Sequence, residues 1–258
     1  MIYHVLNGDA LAHGFPEAKI PGEIAMVREG LIEGDSSGET LDDFWRSRAG
    51  FMGLTSAEYH KGVASEFQKL IEAPDKSEFN LWFEYDLFCQ VNMWFVISLL
   101  KKLPREKSIF AVYTSHLKRD DKHFWTGYGP ATTEELKRCF AKRTLLGERD
   151  VRFGEGLWKA YRNGDLEALR VQSKTGSAAY PYIEEVVKAH ADRFPQEGET
   201  GRPERVVEEI VRNVSTDFPA VLAEFWKRES IYGFGDLQLR TIYDKVLNRL
   251  GTDNRRGA

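Results

Sequence analysis

The residues able to do chemistry in this 258-residue chain fall in three short runs: Asn7-Gly8-Asp9, Arg28-Glu29, and Glu84 with Asp86, with Gln90 one helical turn further on. Carboxylates that meet in space repel one another unless they share a cation or a proton. Asp9, Glu84 and Asp86 are therefore the candidates for acid–base catalysis, or for holding Mg²⁺, a hard ion that takes oxygen ligands and keeps waters for a substrate phosphate. Arg28 and Arg46, with Arg48 nearby, offer planar guanidinium groups for bidentate contact with a phosphate or carboxylate. Glu29 would orient these groups from behind, Asn7 and Gln90 supply amides, and Gly8 admits a ligand close to the backbone. The ligand class that suits this set is a phosphate-bearing small molecule or nucleotide. Plainer roles compete at each position. Asp9 and Asp86 stand where helix caps or Asx-turns stand, and Arg46 and Arg48 have the look of surface ion pairs. Trp45, Trp82 and Trp94 read as core rings, and His4 as a satisfied core residue.

These groups act together only if the fold brings them to one place. Residues 2–6 are short and mostly apolar and run into the turn-forming Asn7-Gly8-Asp9, which predicts a strand entering a loop. Segments 23–27, 81–83 with its flanks, and 109–113 read as further strands. Between them, 41–51, 56–71 and 86–101 carry apolar residues at helical spacing. Strand–helix alternation predicts an α/β fold, a Rossmann-like and mostly parallel sheet flanked by helices. In such sheets ligands bind outside the carboxyl ends of the strands, at a topological switch point. Asn7, Gly8 and Asp9 follow the first strand, Arg28 and Glu29 the second, and Glu84 and Asp86 the third, with Gln90 one helical turn further on. Beyond residue 130 the strand signals fade, and 132–146, 151–163, 166–172 and 182–194 read as helices. The expected organisation is an α/β domain over 1–130 and a helical region over 131–258. A Gly/Glu/Pro-rich linker at about 195–203 would precede a final three-helix unit over 204–214, 219–228 and 236–250, with Asp236 as an N-cap.

With these segments in place, the motifs HVLNGDAL, GEIAMVREGLIEGD, FWRSRAGFM and LWFEYDLFCQ resemble the bacterial domain-of-unknown-function family 1835. LWKAYRNGDLEAL and RESIYGFGDLQL resemble a companion family of unknown function, numbered 3658. Together they cover nearly all of the chain. The resemblance implies no activity, but it implies that the motif residues matter as a group. One departure stands out: the position of Tyr85 is often His in the first family, giving a Glu-His-Asp run, and here a phenol takes its place.

Composition narrows the alternatives. The net charge of −4 argues against a broad nucleic-acid-binding surface. Two cysteines, Cys89 and Cys139, without CxxC spacing, imply reduced thiols rather than a disulfide framework, with Cys89 read as a small core residue. MIYHVLNGD has neither a basic nor an apolar leader region, and no apolar run is long enough to span a bilayer, so a cytoplasmic protein without membrane partners is expected. No dinucleotide fingerprint, P-loop, nucleophile elbow or zinc motif is present. A second class of function, a non-enzymatic regulatory or interaction protein, would use the rim residues as structural caps. Its C-terminal three-helix block would bind DNA or, more simply, pack or form a homodimer. The candidate recognition helix carries Arg240, Lys245 and Arg249 against Asp236 and Asp244, little positive charge for a DNA reader. His116 and His123, in a polar loop with Arg119, Asp120 and Asp121, could overhang the same rim.

Overall fold

A computed structural model of the chain describes residues 1–114, 127–195 and 198–256, with side chains to residue 251. The loop holding His116 and His123 lies outside the described residues. Four parallel strands form the sheet: β1 (Ile2–Asn7), β2 (Glu23–Val27), β3 (Ser77–Trp82) and β4 (Lys107–Val112). A two-residue strand, β5 (Thr144–Leu145), pairs antiparallel with β4 and completes the order β2-β1-β3-β4-β5. The fold is thus α/β, as expected. The segment 132–146, read as one helix, is instead helix α6 (Thr133–Ala141) followed by β5. The sheet therefore extends past residue 130. A two-residue strand carries too little alternation to be read from sequence.

β1 and β3 lie at the middle of the sheet, and their side chains are mostly buried on both faces. That accounts for their nearly continuous apolar runs, because a parallel sheet is covered on both sides. Val5 and Leu81 face one way, Leu6 and Trp82 the other. On the Leu6 face, α1 (Asp9–Gly14), a 3₁₀ turn at Phe15–Ala18 and α6 close a small cluster containing Leu11, Phe15, Trp82 and Leu136. His4 belongs there too: its Nδ1 accepts from Trp82 Nε1 at 3.1 Å and its Nε2 lies 3.2 Å from the Pro21 carbonyl, so it is a satisfied core residue.

The opposite face carries the main core. α2 (Leu41–Phe51) and α3 (Ser56–Tyr59) each begin with a capping box, Thr40 with Asp43 and Thr55 with Glu58. A π-helical turn, His60–Ala64, joins α3 to α4 (Ser65–Ile71). α5 (Leu87–Lys102) is buried at nearly every position from Leu87 to Leu100. A helix apolar all round needs cover on all sides; the sheet supplies one and α7 (Glu148–Arg162) another. The remaining helices are α8 (Leu166–Thr175), α9 (Ile183–Ala191), α10 (Arg202–Asn213), α11 (Phe218–Glu229) and α12 (Asp236–Arg256). A single apolar cluster runs from Tyr3 and Val5 through Trp94 and Trp158 to Val246. The helical region and the sheet thus share one core. No helix among the described residues is long and apolar enough to cross a membrane.

Candidate ligand site

β1 connects to β2 on one side, and β3 to β4 on the other, so the switch point falls between the carboxyl ends of β1 and β3. The fold does not leave that crevice open. Asn7 Nδ2 donates to Cys89 Sγ at 3.0 Å, and the Cys89 thiol donates to Glu84 Oε2 at 2.7 Å. Asn92 Nδ2 donates to Asn7 Oδ1 at 2.9 Å, and Gln90 Nε2 to the Glu84 carbonyl at 2.7 Å. Glu84 Oε1 takes the Tyr128 N–H at 2.8 Å. Burial, then the charges of Asp86 and Glu84, hold the Cys89 thiol well above its usual range, so it keeps its proton and donates. Cys89 is therefore the hub of a polar network rather than an inert core residue. Gln90 is a buried member of this network and does not reach a ligand cleft.

Asp86 is the N-cap of α5: Oδ1 accepts the Cys89 N–H at 2.9 Å. It is buried beside Glu84, and both effects, burial first, push its carboxyl up to about 7. Gly233, in the turn between α11 and α12, lies against the same carboxylate. It has φ +62°, and a Cβ there would overlap Asp86 Oδ1. The LWFEYDLFCQ and RESIYGFGDLQL motifs therefore meet at this contact. Tyr85, which stands where a His was noted, is buried with its ring stacked on Tyr113 and edge-on to Tyr182.

Donor atoms of Glu84, Asp86 and Cys89 lie within 4.8 Å of one another. The set does not suit Mg²⁺. One donor is a protonated thiol, both Glu84 oxygens and one Asp86 oxygen already accept hydrogen bonds, and Asp9 is not among them. The three carboxylates expected to act together are thus split. Asp9 is instead salt-bridged to Arg28, with Arg28 Nε 2.9 and 3.0 Å from its two oxygens and Nη2 2.9 Å from Oδ1.

That pair stands in an open cleft of about 510 Å³ at the ends of β1 and β2. Asn7, Gly8 and Asp9 form one wall, Arg28 and Glu33 another, and Phe88 comes from α5. Leu237, Gln238 and Thr241 reach over from α12, so the last helix completes the site. Gly8 turns the chain from β1 into α1 with φ +80° and ψ −177°, its N–H bonded to the Val27 carbonyl at 2.9 Å. No side chain crowds the space where its Cβ would stand, so ligand approach to the backbone is unobstructed.

A buried ion pair forms part of the cleft's lining. Arg48 Nε and Nη2 donate to Glu29 Oε2 at 3.0 and 2.7 Å, and both side chains are fully buried. Tyr59 donates its hydroxyl to Glu29 Oε1, and the Gly30 N–H reaches Oε2 at 3.2 Å. Burial and the Glu29 charge raise the Tyr59 hydroxyl, which stays protonated. Arg48 also donates to the carbonyls of Glu33 at 2.8 Å and Asp35 at 3.2 Å. A charge pair taken out of water survives only with such full satisfaction; its effect is to pin the loop after β2 onto α2. Arg48 is therefore not a surface ion pair, and Glu29, which lines the cleft together with Arg48, holds that guanidinium in place. Arg46, expected as an anion clamp, is exposed, pairs with Asp43 on its own helix, and does not line the cleft. Helical spacing put Arg46 and Arg48 on different faces of α2, and only Arg48 turns inward.

In the final helical unit, Lys245 and Arg249 pair with Glu204, Arg249 also with Glu208, and Arg240 lies over the Phe218 ring. The basic groups of α12 thus hold α10–α12 together. No family model matches this chain, and neither does any curated protein or solved structure.

Proposed function

We propose that the chain binds a nucleotide-like small molecule, one with a flat apolar ring and a polar phosphate-bearing end, in the cleft at the ends of β1 and β2. The observation that carries this reading is the cleft's lining. Phe51, Met52 and Leu237 are large, exposed apolar side chains, and all three stand around a floor that holds the Asp9–Arg28 pair and the Gly8 backbone. Single exposed apolar residues mean little, but several rimming a polar pocket mark a place where something else completes the contact. The volume falls within the range of small-molecule pockets. A planar ring would find apolar neighbours in Phe88, Phe51 and Met52, and hydroxyl groups would find acceptors in Asp9 and Glu33, all of which line the cleft. The reduced thiols Cys89 and Cys139 favour a reducing, cytoplasmic setting. Binding is the function supported; the acidic groups proposed from sequence as acid and base do not converge on this cleft.

The test is a thermal-shift and calorimetric panel of nucleosides and their mono- and diphosphates, run on the wild type and on Thr241→Trp. Thr241 is exposed on the cleft wall, so the indole fills the cleft without disturbing the core. Ligand at a hundredfold excess over Kd stabilises by about 2.7 kcal/mol, a rise of several degrees in Tm for a chain of this size. The rise should vanish in Thr241→Trp. A panel in which nothing binds the wild type at millimolar concentration, or a shift unchanged in Thr241→Trp, overturns the reading.

A further inference from the structure

The cleft itself offers a phosphate no unengaged cation, since Arg28 is held by Asp9 and Arg48 by Glu29. A second cavity, of about 760 Å³, adjoins it, and Glu33, Phe51 and Thr241 line both. It lies between the loop that follows β2 and the helices α7, α9 and α12. Two half-buried guanidiniums, Arg162 and Arg193, line this second cavity. Among the described residues neither is paired with a carboxylate. Arg162 gives Nε to the Ser36 carbonyl at 2.7 Å and Nη2 to the Gly38 carbonyl. Arg193 gives Nη1 to the Ile32 carbonyl at 3.1 Å. A guanidinium carries five N–H donors, so each keeps capacity after these contacts. His190 lines the same cavity; it is buried, packs against Tyr161 and Phe194, and its Nδ1 has no hydrogen-bond partner in the protein. Two acids on the opposing loop, Glu33 and Asp35, also line the cavity; the Asp35 carboxylate is taken by the Ser37 N–H and hydroxyl at 2.8 and 2.7 Å.

We infer that this second cavity is the phosphate subsite of the same ligand: Arg162 and Arg193 hold its phosphoryl end, His190 supplies a further neutral donor, and the ring lies in the first cleft. The inference rests on the proposed nucleotide-like ligand and places its charged end. Planar forked donors suit phosphoryl oxygens, and the cavity is built from both the α/β and the helical parts of the chain, so a ligand bridging the two cavities would bind across them. Burial, with Arg193 beside it, pushes the His190 imidazole down to about 3. The ring is then uncharged at working pH, with one N–H to give and nothing inside the protein bonded to Nδ1.

Calorimetry with three probes separates this claim from the one before it: a nucleoside, its diphosphate, and inorganic pyrophosphate alone. In the wild type the diphosphate should bind about a hundredfold more tightly than the nucleoside, about tenfold for each guanidinium, and the gain should shrink as salt rises. Arg162→Gln and Arg193→Gln should each remove about tenfold of the gain, the size of one charge-assisted contact, and leave nucleoside affinity unchanged. Arg193→Lys, which keeps the charge, should retain part of it. Unliganded Tm and circular dichroism show that each variant is folded. Pyrophosphate that binds the wild type and is lost in the two Gln variants supports the subsite even if no nucleoside binds, in which case only the nucleotide reading fails. Equal affinity for nucleoside and diphosphate, a gain untouched in both Gln variants, or no binding of either phosphate probe overturns the subsite.

Discussion

Asp86→Asn tests the electrostatics of the network that fills the switch point. The substitution keeps an oxygen to cap α5 through the Cys89 N–H and removes the charge that crowds Glu84. Burial and the neighbouring carboxylate raise the Asp86 carboxyl from 3.8 to about 7. The folded chain therefore keeps a proton that the unfolded chain releases. The corresponding stability is complete below 3.8 and is lost as pH rises toward and through about 7. At about 1.4 kcal/mol per pH unit, that window is worth about 4 kcal/mol. Asp86→Asn has no such dependence. Urea unfolding followed by tryptophan fluorescence across this range should give closely similar stabilities near pH 4, and near pH 8 a variant more stable than the wild type by a few kcal/mol, up to about 4. A difference that stays flat with pH, or a wild type that is the more stable near pH 8, would refute the argument. It would mean that the ionised carboxylate is compensated in the fold.

Other consequences follow from single contacts. Arg48→Met leaves Glu29 buried and uncompensated and should cost about 3–5 kcal/mol, whereas Glu29→Met combined with Arg48→Met should recover most of the loss; chemical unfolding of the three proteins measures the cycle. Gly233→Ala combines a positive φ with overlap on Asp86 Oδ1 and should destabilise by more than about 2 kcal/mol, while Gly8→Ala, with open space at its Cβ but a φ of +80° and ψ of −177° that glycine alone adopts readily, should cost about 1–3 kcal/mol from backbone strain alone in the same assay. His190, held uncharged by burial and Arg193, should show imidazole carbon shifts in NMR that stay flat across the range where an exposed histidine titrates, about pH 5 to 8; a midpoint inside that range would show the ring to be hydrated or paired.

The strands and the long helices were legible because their signals are local. Glu23–Val27 and Leu41–Phe51 begin and end where turn residues and capping boxes put them. α5 was visible from its apolar density alone. The rim of the sheet was also legible: Asn7, Gly8, Arg28 and Glu84 all follow strands, and strand direction alone places them at one end of the sheet. Which of them shares a pocket was not legible, because that depends on contacts between residues far apart in sequence. Asn7 meets Cys89 across 82 positions, and Asp86 meets Gly233 through the turn before α12. Arg46 and Arg48 have the same chemistry in the sequence, and only the burial of one helix face separates them. Leu237 and Gln238 lie in the RESIYGFGDLQL motif, but neither they nor Thr241 could be assigned to the cleft, since nothing local says that the last helix roofs the first strand. Arg162, in the LWKAYRNGDLEAL motif, sits at the C-terminal end of a helix next to an Asn-Gly turn, but that it faces loop carbonyls across 126 positions is visible only in the fold.

The most direct test of the ligand site is an amide and arginine side-chain NMR titration of the isotope-labelled chain with the tightest nucleotide from the panel. The account predicts saturable shifts gathered at Gly8, Phe88, Gln238 and Thr241, together with the Nε–H groups of Arg162 and Arg193. Shifts confined to a different surface, or none at saturating nucleotide, would contradict it.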